Sequence, residues 1–161
     1  MSEPSQAYLR KILDYDPVTG KLYWKQRLSN RIKIGDEAGT LNLAGYIQLR
    51  INGIIYLAHR IIYVWMKGPI PPGLEVDHRN LVRNENWWDN LRLATKAQQR
   101  MNQEMPKNNQ TGFKGVSFHV PSGKYRARLG RQYIGLYTTK EEAAAAYQAE
   151  ATQAFGEYAR T

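Results

Sequence analysis

Val76-Asp77-His78-Arg79-Asn80-Leu81-Val82-Arg83-Asn84-Glu85-Asn86-Trp87-Trp88-Asp89-Asn90-Leu91-Arg92-Leu93-Ala94-Thr95 is the stretch on which the reading of this chain turns. Leu74-Glu75-Val76 predicts a short strand, and Leu91-Arg92-Leu93 a second one, with an asparagine-rich loop between them. Thr95-Lys96-Ala97-Gln98 has capping-box spacing, so a helix is expected from there with Gln99 in its first turn. The order is strand, loop, strand, helix. Asp77-His78 sits where the first strand meets the loop. A neutral imidazole is a good proton acceptor near neutral pH, and a carboxylate beside it suits a hard divalent cation. Neighbours in a regular strand point to opposite faces, a difficulty for a shared site that eases if the strand ends at Asp77 and the chain turns. An isolated Asp-His pair is usually no more than a surface turn; the surrounding strands, asparagines and capped helix set this one apart.

Upstream, Leu22-Tyr23-Trp24 and residues 46–51 read as strands, and Asp16-Pro17-Val18-Thr19-Gly20 as a turn. Asn52-Gly53 between apolar runs is a strong two-residue hairpin signal, with residues 54–57 as the return strand. Residues 58–66 predict a short helix stopped by Gly68 and Pro69. Trp87 and Trp88 read as packing residues of a core or a domain junction. His59 has two readings: a group that braces a site or meets a phosphate beside Arg60, or a buried, hydrogen-bonded histidine.

Downstream, residues 105–111 read as a linker. Three short strands follow at 114–119, 125–129 and 133–137, and Thr139-Lys140-Glu141-Glu142 opens an alanine-rich helix that Gly156 stops. Alternation along the middle strand puts Lys124, Arg126 and Arg128 on one face and Tyr125, Ala127 and Leu129 on the other. The apolar face is expected to pack on the helix through Ala143, Ala146, Tyr147 and Phe155, which leaves the basic face open.

Among the 161 residues, 23 basic side chains against 14 acidic ones give a formal net charge of +9, which favours a polyanionic partner. Without cysteine, disulfides and cysteine-ligated zinc are excluded. Residues 1–9 lack a basic start followed by an apolar run, and residues 46–66 are interrupted by Arg50, Asn52, His59 and Arg60. A soluble, cytoplasmic protein is expected, with no membrane association and no protein partner implied. No Ser-His or Cys-His arrangement suggests covalent catalysis.

Asp77-His78, the asparagines of the loop, and Asn90-Leu91-Arg92-Leu93-Ala94-Thr95 resemble the His-Asn-His (HNH) endonucleases of phage genomes and introns, including the separation of His78 from Asn90. Gly45-Tyr46-Ile47, Ala58-His59-Arg60 and Gly68-Pro69 resemble the leader of the same phage group. The resemblance implies a free-standing homing-type endonuclease, phage-encoded and acting on double-stranded DNA in the host cytoplasm. His78 would be the general base, Asp77 a ligand for Mg2+ (or another divalent ion such as Mn2+), and Asn90 the residue that braces the loop and orients His78. Arg92 or Arg60 would offset phosphate charge, with His59 beside them. The family's second ligand is an Asn or His on the helix; Gln99 stands there instead, and Asn102 lies one turn on. A DNA-binding protein with a decayed nuclease module is the alternative that this departure raises, and a binder of structured RNA is a third reading.

Phe113-Lys114-Gly115-Val116, Gly123-Lys124-Tyr125, Tyr133-Ile134-Gly135 and Phe155-Gly156-Glu157-Tyr158-Ala159 resemble the Apetala-2/ethylene-response-factor DNA-binding domain. That resemblance implies a sheet that reads the major groove, with Lys114, Arg131 and Tyr133 at contact positions and Lys124, Arg126 and Arg128 on the basic face. Ser117 replaces a usual arginine, so the plant-type target is not implied. The expected fold class is α+β: a ββα-metal nuclease core at 71–104 with an N-terminal β-rich extension at 1–70. The linker at 105–111 then leads to a three-stranded antiparallel sheet packed on one helix at 112–161.

Overall fold

In the computed structural model the residues described are 3–103, 105 and 108–159, so the expected linker at Pro106 and Lys107 lies outside the described residues. The chain divides into two compact units, Met1–Lys96 and Ala97–Thr161. The N-terminal extension and the strand-loop-strand segment therefore belong to one unit.

The first unit opens with helix α1 (Gln6–Ile12), capped by the Ser5 side chain, which accepts from the Tyr8 backbone N–H. Strand β1 (Leu13–Asp16) follows without a break and pairs antiparallel with β2 (Lys21–Trp24) across the predicted turn. Asp16 organises that turn, its carboxylate accepting from the Val18 and Thr19 backbones and the Thr19 hydroxyl. Strands β3 (Thr40–Leu41), β4 (Ile47–Ile51) and β5 (Ile54–Leu57) form a second antiparallel sheet in that order. Asn52 and Gly53 both take positive φ, as a tight hairpin turn demands. Helix α2 (Ala58–Lys67) ends at Gly68, as its sequence signals require.

The extension is more helical than its strand signals suggest, because α1 and α2 pack on one another and supply much of the core. Leu9, Ile12, Ile61, Ile62 and Val64 from the two helices are fully buried with Leu13 and Ile51. Each such side chain contributes roughly 1.5–3 kcal/mol of transfer free energy. Val76 and Leu91, from the hairpin of β6 (Glu75–His78) and β7 (Leu91–Ala94), join the same core.

Helix α3 (Lys96–Asn102) begins at the unit boundary. In the second unit β8 (Val116–His119), β9 (Lys124–Leu129) and β10 (Gln132–Tyr137) form an antiparallel sheet with β9 central. It packs on α4 (Lys140–Phe155), whose capping box at Thr139 and Glu142 is complete and whose end is Gly156. Ala143, Tyr147 and Ala151, spaced by one turn each, bury against Val116, Ala127 and Leu129. Gly115 (φ +72°) allows the close approach: a Cβ there would stand 2.3 Å from the Tyr147 ring. Among the described residues, no helix is long and apolar enough to cross a membrane.

Candidate active site and basic sheet face

Strand β6 runs through His78 rather than stopping at Asp77, so alternation separates the two side chains. Val76 and His78 lie on its buried face, and Asp77 stands opposite Arg92 across the hairpin. Arg92 Nε donates to Asp77 Oδ2 at 3.3 Å, with the Arg92 side chain only 5% exposed. A carboxylate carries about four lone-pair sites, of which this contact uses one.

His78 is buried, and its Nε2 lies 3.0 Å from Asn86 Oδ1. The orientation of that amide is set by its other end, because Asn86 Nδ2 donates to Asn84 O. An amide oxygen only accepts, so Nε2 of His78 carries the proton and Nδ1 carries the lone pair. Burial holds the imidazole below the usual histidine range, against the opposing pull of Asn86 and Asp77. The ring is therefore neutral near neutral pH, the form that a general base needs.

Asn90 does its bonding elsewhere. Its Oδ1 accepts from the Asn80 backbone, its Nδ2 donates to Glu85 O at 2.6 Å, and its carbonyl accepts from the Arg79 N–H. It closes the loop on itself, while Asn86 meets the imidazole. Asn80 adds a local turn through Val82 N–H and a bond to Glu85. The asparagines of the loop look alike as a sequence; only the fold shows which one faces the ring.

His59 sits in the first turn of α2 and is also buried. Its ring lies edge-on to His78 with centroids 4.9 Å apart, and Tyr46 packs on both rings. Its Nδ1 has no hydrogen-bond partner among the described residues. Burial, with the neighbouring His78 and Arg60 charges, pushes its pKa down to about 3. The folded state thus binds a proton less readily than the unfolded state, and stability present above about pH 6.5 is lost as pH falls toward 3. From about pH 7 to about pH 5 we expect a loss of about 2 kcal/mol attributable to this residue. Urea unfolding at the two pH values measures it. His59→Gln should flatten the difference; an unchanged difference would mean that His59 does not carry it.

Arg60 Nε pairs with Glu3 at 2.6 Å. Gln99 is half-buried on α3, in the second unit, whereas Asp77 is in the first. Asn102, on the same helix, is buried. Trp88 packs on the core beside Tyr63.

On the second unit, Lys124 and Arg128 are exposed and Arg126 half-buried, alternating with Ala127 and Leu129 beneath. Arg126 donates to Ser117 Oγ at 3.4 Å across the β8–β9 ladder, and its Nε is buried without a partner among the described residues. Tyr133 stands opposite Arg128 and is 57% exposed. Arg131 is exposed in the β9–β10 turn, and its carbonyl accepts from Arg128. Lys114 differs from these: its ammonium donates to the carbonyls of Met101 and Gln103 at the end of α3.

Residues 56–101 match the HNH endonuclease family model. Protein 3.8 of Escherichia phage T7 is 35% identical over 79 residues, which cover 46% of this chain and 65% of that protein. An uncharacterized HNH endonuclease of Acanthamoeba polyphaga mimivirus, L560, is 34% identical over 106 residues, covering 63% of this chain and 54% of that protein. The chain thus spans less than two thirds of the length of these relatives. Among solved structures, the HNH homing endonuclease I-HmuI, described in its DNA binding and cleavage, aligns with 88% of this chain and 80% of its own at 18% identity and a TM-score of 0.43.

Proposed function

We infer that the chain is a metal-dependent DNA endonuclease that nicks or cuts duplex DNA by hydrolysing a phosphodiester bond, with the second unit binding DNA through its basic sheet face. The observation that carries this reading is His78: an imidazole kept neutral by burial and held in the Nε2–H form by Asn86, next to Asp77, inside the segment that matches the HNH family model.

The chemistry follows from the tautomer. His78 Nδ1 takes a proton from the attacking water, and the Asn86 amide oxygen keeps accepting from Nε2–H as the ring becomes positive. Asp77 supplies the hard oxygen donor that Mg2+ or Mn2+ prefers. Such an ion commonly takes only one or two carboxylates and keeps several waters, so the donor set fits although no group of three or more His, Asp or Glu assembles among the described residues. Asp77 would hold the ion, which when bound supplies positive charge for the phosphate and the leaving oxygen. Arg92 orients the Asp77 carboxylate from its buried side.

The open face of Lys124, Arg126, Arg128 and Tyr133 supports the second half of the reading. A small sheet with arginines above an apolar underside is shaped to enter a major groove, which accords with the Apetala-2/ethylene-response-factor resemblance. Arg131 at the turn extends the charge. Linking such a module to a nuclease raises the local concentration of DNA at the site.

Supercoiled plasmid incubated with the protein in Mg2+ or Mn2+ is expected to be nicked, and chelation of the metal to stop the nicking. Intact plasmid with retarded mobility under both ions would assign the chain instead to DNA-binding proteins without nuclease activity.

A further inference from the structure

Tyr15 and Gly20 belong to the β1–β2 hairpin, far from His78 in sequence, yet both bear on the residue that holds its ring. Tyr15 Oη donates to the Asn86 carbonyl at 2.8 Å in a buried hydrogen bond. Gly20 (φ +76°) lies so close that a Cβ would stand 2.4 Å from the Asn86 carbonyl carbon and 2.3 Å from Trp87 N. One residue further, Trp88 N–H donates to Pro17 O at 3.0 Å. The hairpin therefore grips three consecutive residues of the loop from one side. On the other side, the Asn86 side chain meets His78 Nε2 and is itself oriented by Asn84 O. Carbonyl and side chain share one Cα, so a shift at the hairpin becomes a shift of the acceptor at the imidazole.

We propose that Tyr15 is a positioning residue for phosphodiester hydrolysis: through the Asn86 carbonyl it holds the amide that keeps His78 in its Nε2–H form. The N-terminal hairpin is then part of the catalytic apparatus and not only its support. The kinetic consequence rests on the endonuclease reading; the consequence for the tautomer does not.

The test uses the full chain and two readouts. Tyr15→Phe keeps the buried ring and removes only the hydroxyl. It should lower kcat for plasmid nicking about tenfold, within what small displacements of reacting groups cost, with KM for DNA unchanged. Asn86→Ala should lower kcat at least as much, and the double variant should be no slower than Asn86→Ala, because Tyr15 acts through Asn86. The second readout is nitrogen-15 NMR of the imidazoles, of which the chain has three, with His78 assigned by its loss in His78→Gln. The wild type should show the Nε2–H form and Tyr15→Phe a mixture of tautomers, at temperatures where circular dichroism shows the variant folded.

A role in folding alone would lower the melting temperature and leave kcat and the tautomer as they are, and that result overturns the proposal. So do multiplying penalties in the double variant, or an Nδ1–H form of His78 in the wild type, which needs no variant to be seen. If the wild type does not nick DNA at all, the endonuclease reading falls by itself. The tautomer of Tyr15→Phe then decides: a mixture upholds the hairpin's hold on His78, and a pure Nε2–H form removes it.

Discussion

Replacing His78 with alanine is expected to slow DNA nicking by about 10²–10⁴-fold, the usual contribution of a positioned acid–base group, while DNA binding stays within about twofold of wild type. The expectation combines chemistry and place. His78 is buried and burial lowers its pKa, so the imidazole is neutral near neutral pH, the form that takes up a proton. It also lies in the unit formed by Met1–Lys96, whereas the alternating basic face belongs to Ala97–Thr161. Single-turnover nicking measures the first effect and gel retardation the second. Equal loss of both would show that the variant has damaged the fold or that binding and hydrolysis share His78, and either would contradict the division of labour.

The second large effect is expected at the sheet. Neutralising Lys124, Arg126 and Arg128 together should reduce the slope of log K against log salt by about 0.9 for each phosphate no longer neutralised, or roughly 3 if all three side chains touch the backbone. The fall in affinity is then greatest at low salt. A guanidinium that instead meets a guanine edge would leave the slope nearly unchanged and relax sequence preference, at a cost of about 1–3 kcal/mol for the right base. Arg126 is the candidate for that role, since it is half-buried in the sheet and its guanidinium is anchored by Ser117. Lys21→Gln is the control, because Lys21 is paired with Glu37 on the first unit. If the triple variant binds duplex DNA with wild-type affinity and salt dependence, the sheet is not the DNA-binding surface.

Lys114 illustrates how a residue type can mislead when read alone. In the sequence it is one more cation in a stretch without acids; in the structure its ammonium closes the carbonyl end of α3. Helix ends leave carbonyls without internal partners, and a nearby lysine satisfies them at little cost. Arg60 is a parallel case, a cation already neutralised by Glu3. Charge counts do not separate such committed cations from those that face solvent, because the partner is chosen by the fold.

Much of the fold was legible because its signals are local. Asn52-Gly53 requires the backbone that a hairpin turn uses, Thr139 and Glu142 satisfy each other across a helix start, and Gly156 ends that helix. Period-two alternation in β9 sorts its basic from its apolar face with no help from tertiary packing. Helix α1 escaped for the same reason in reverse: seven residues offer only two turns of apolar spacing, and its helicity is secured by packing on α2. What the tertiary structure alone decided is pairing over distance. It chose Asn86 over Asn80 and Asn84 for the His78 ring, set Arg92 opposite Asp77, and brought His59 edge-on to His78. It also laid Tyr15 and Gly20 against a loop far along the chain, as the 71-residue separation of the Tyr15–Asn86 hydrogen bond shows. The amino-acid order determined which chemical groups and which local turns exist. Which of those groups meet depended on burying α1, α2 and the three hairpins of the first unit in one core, and no local pattern encodes that.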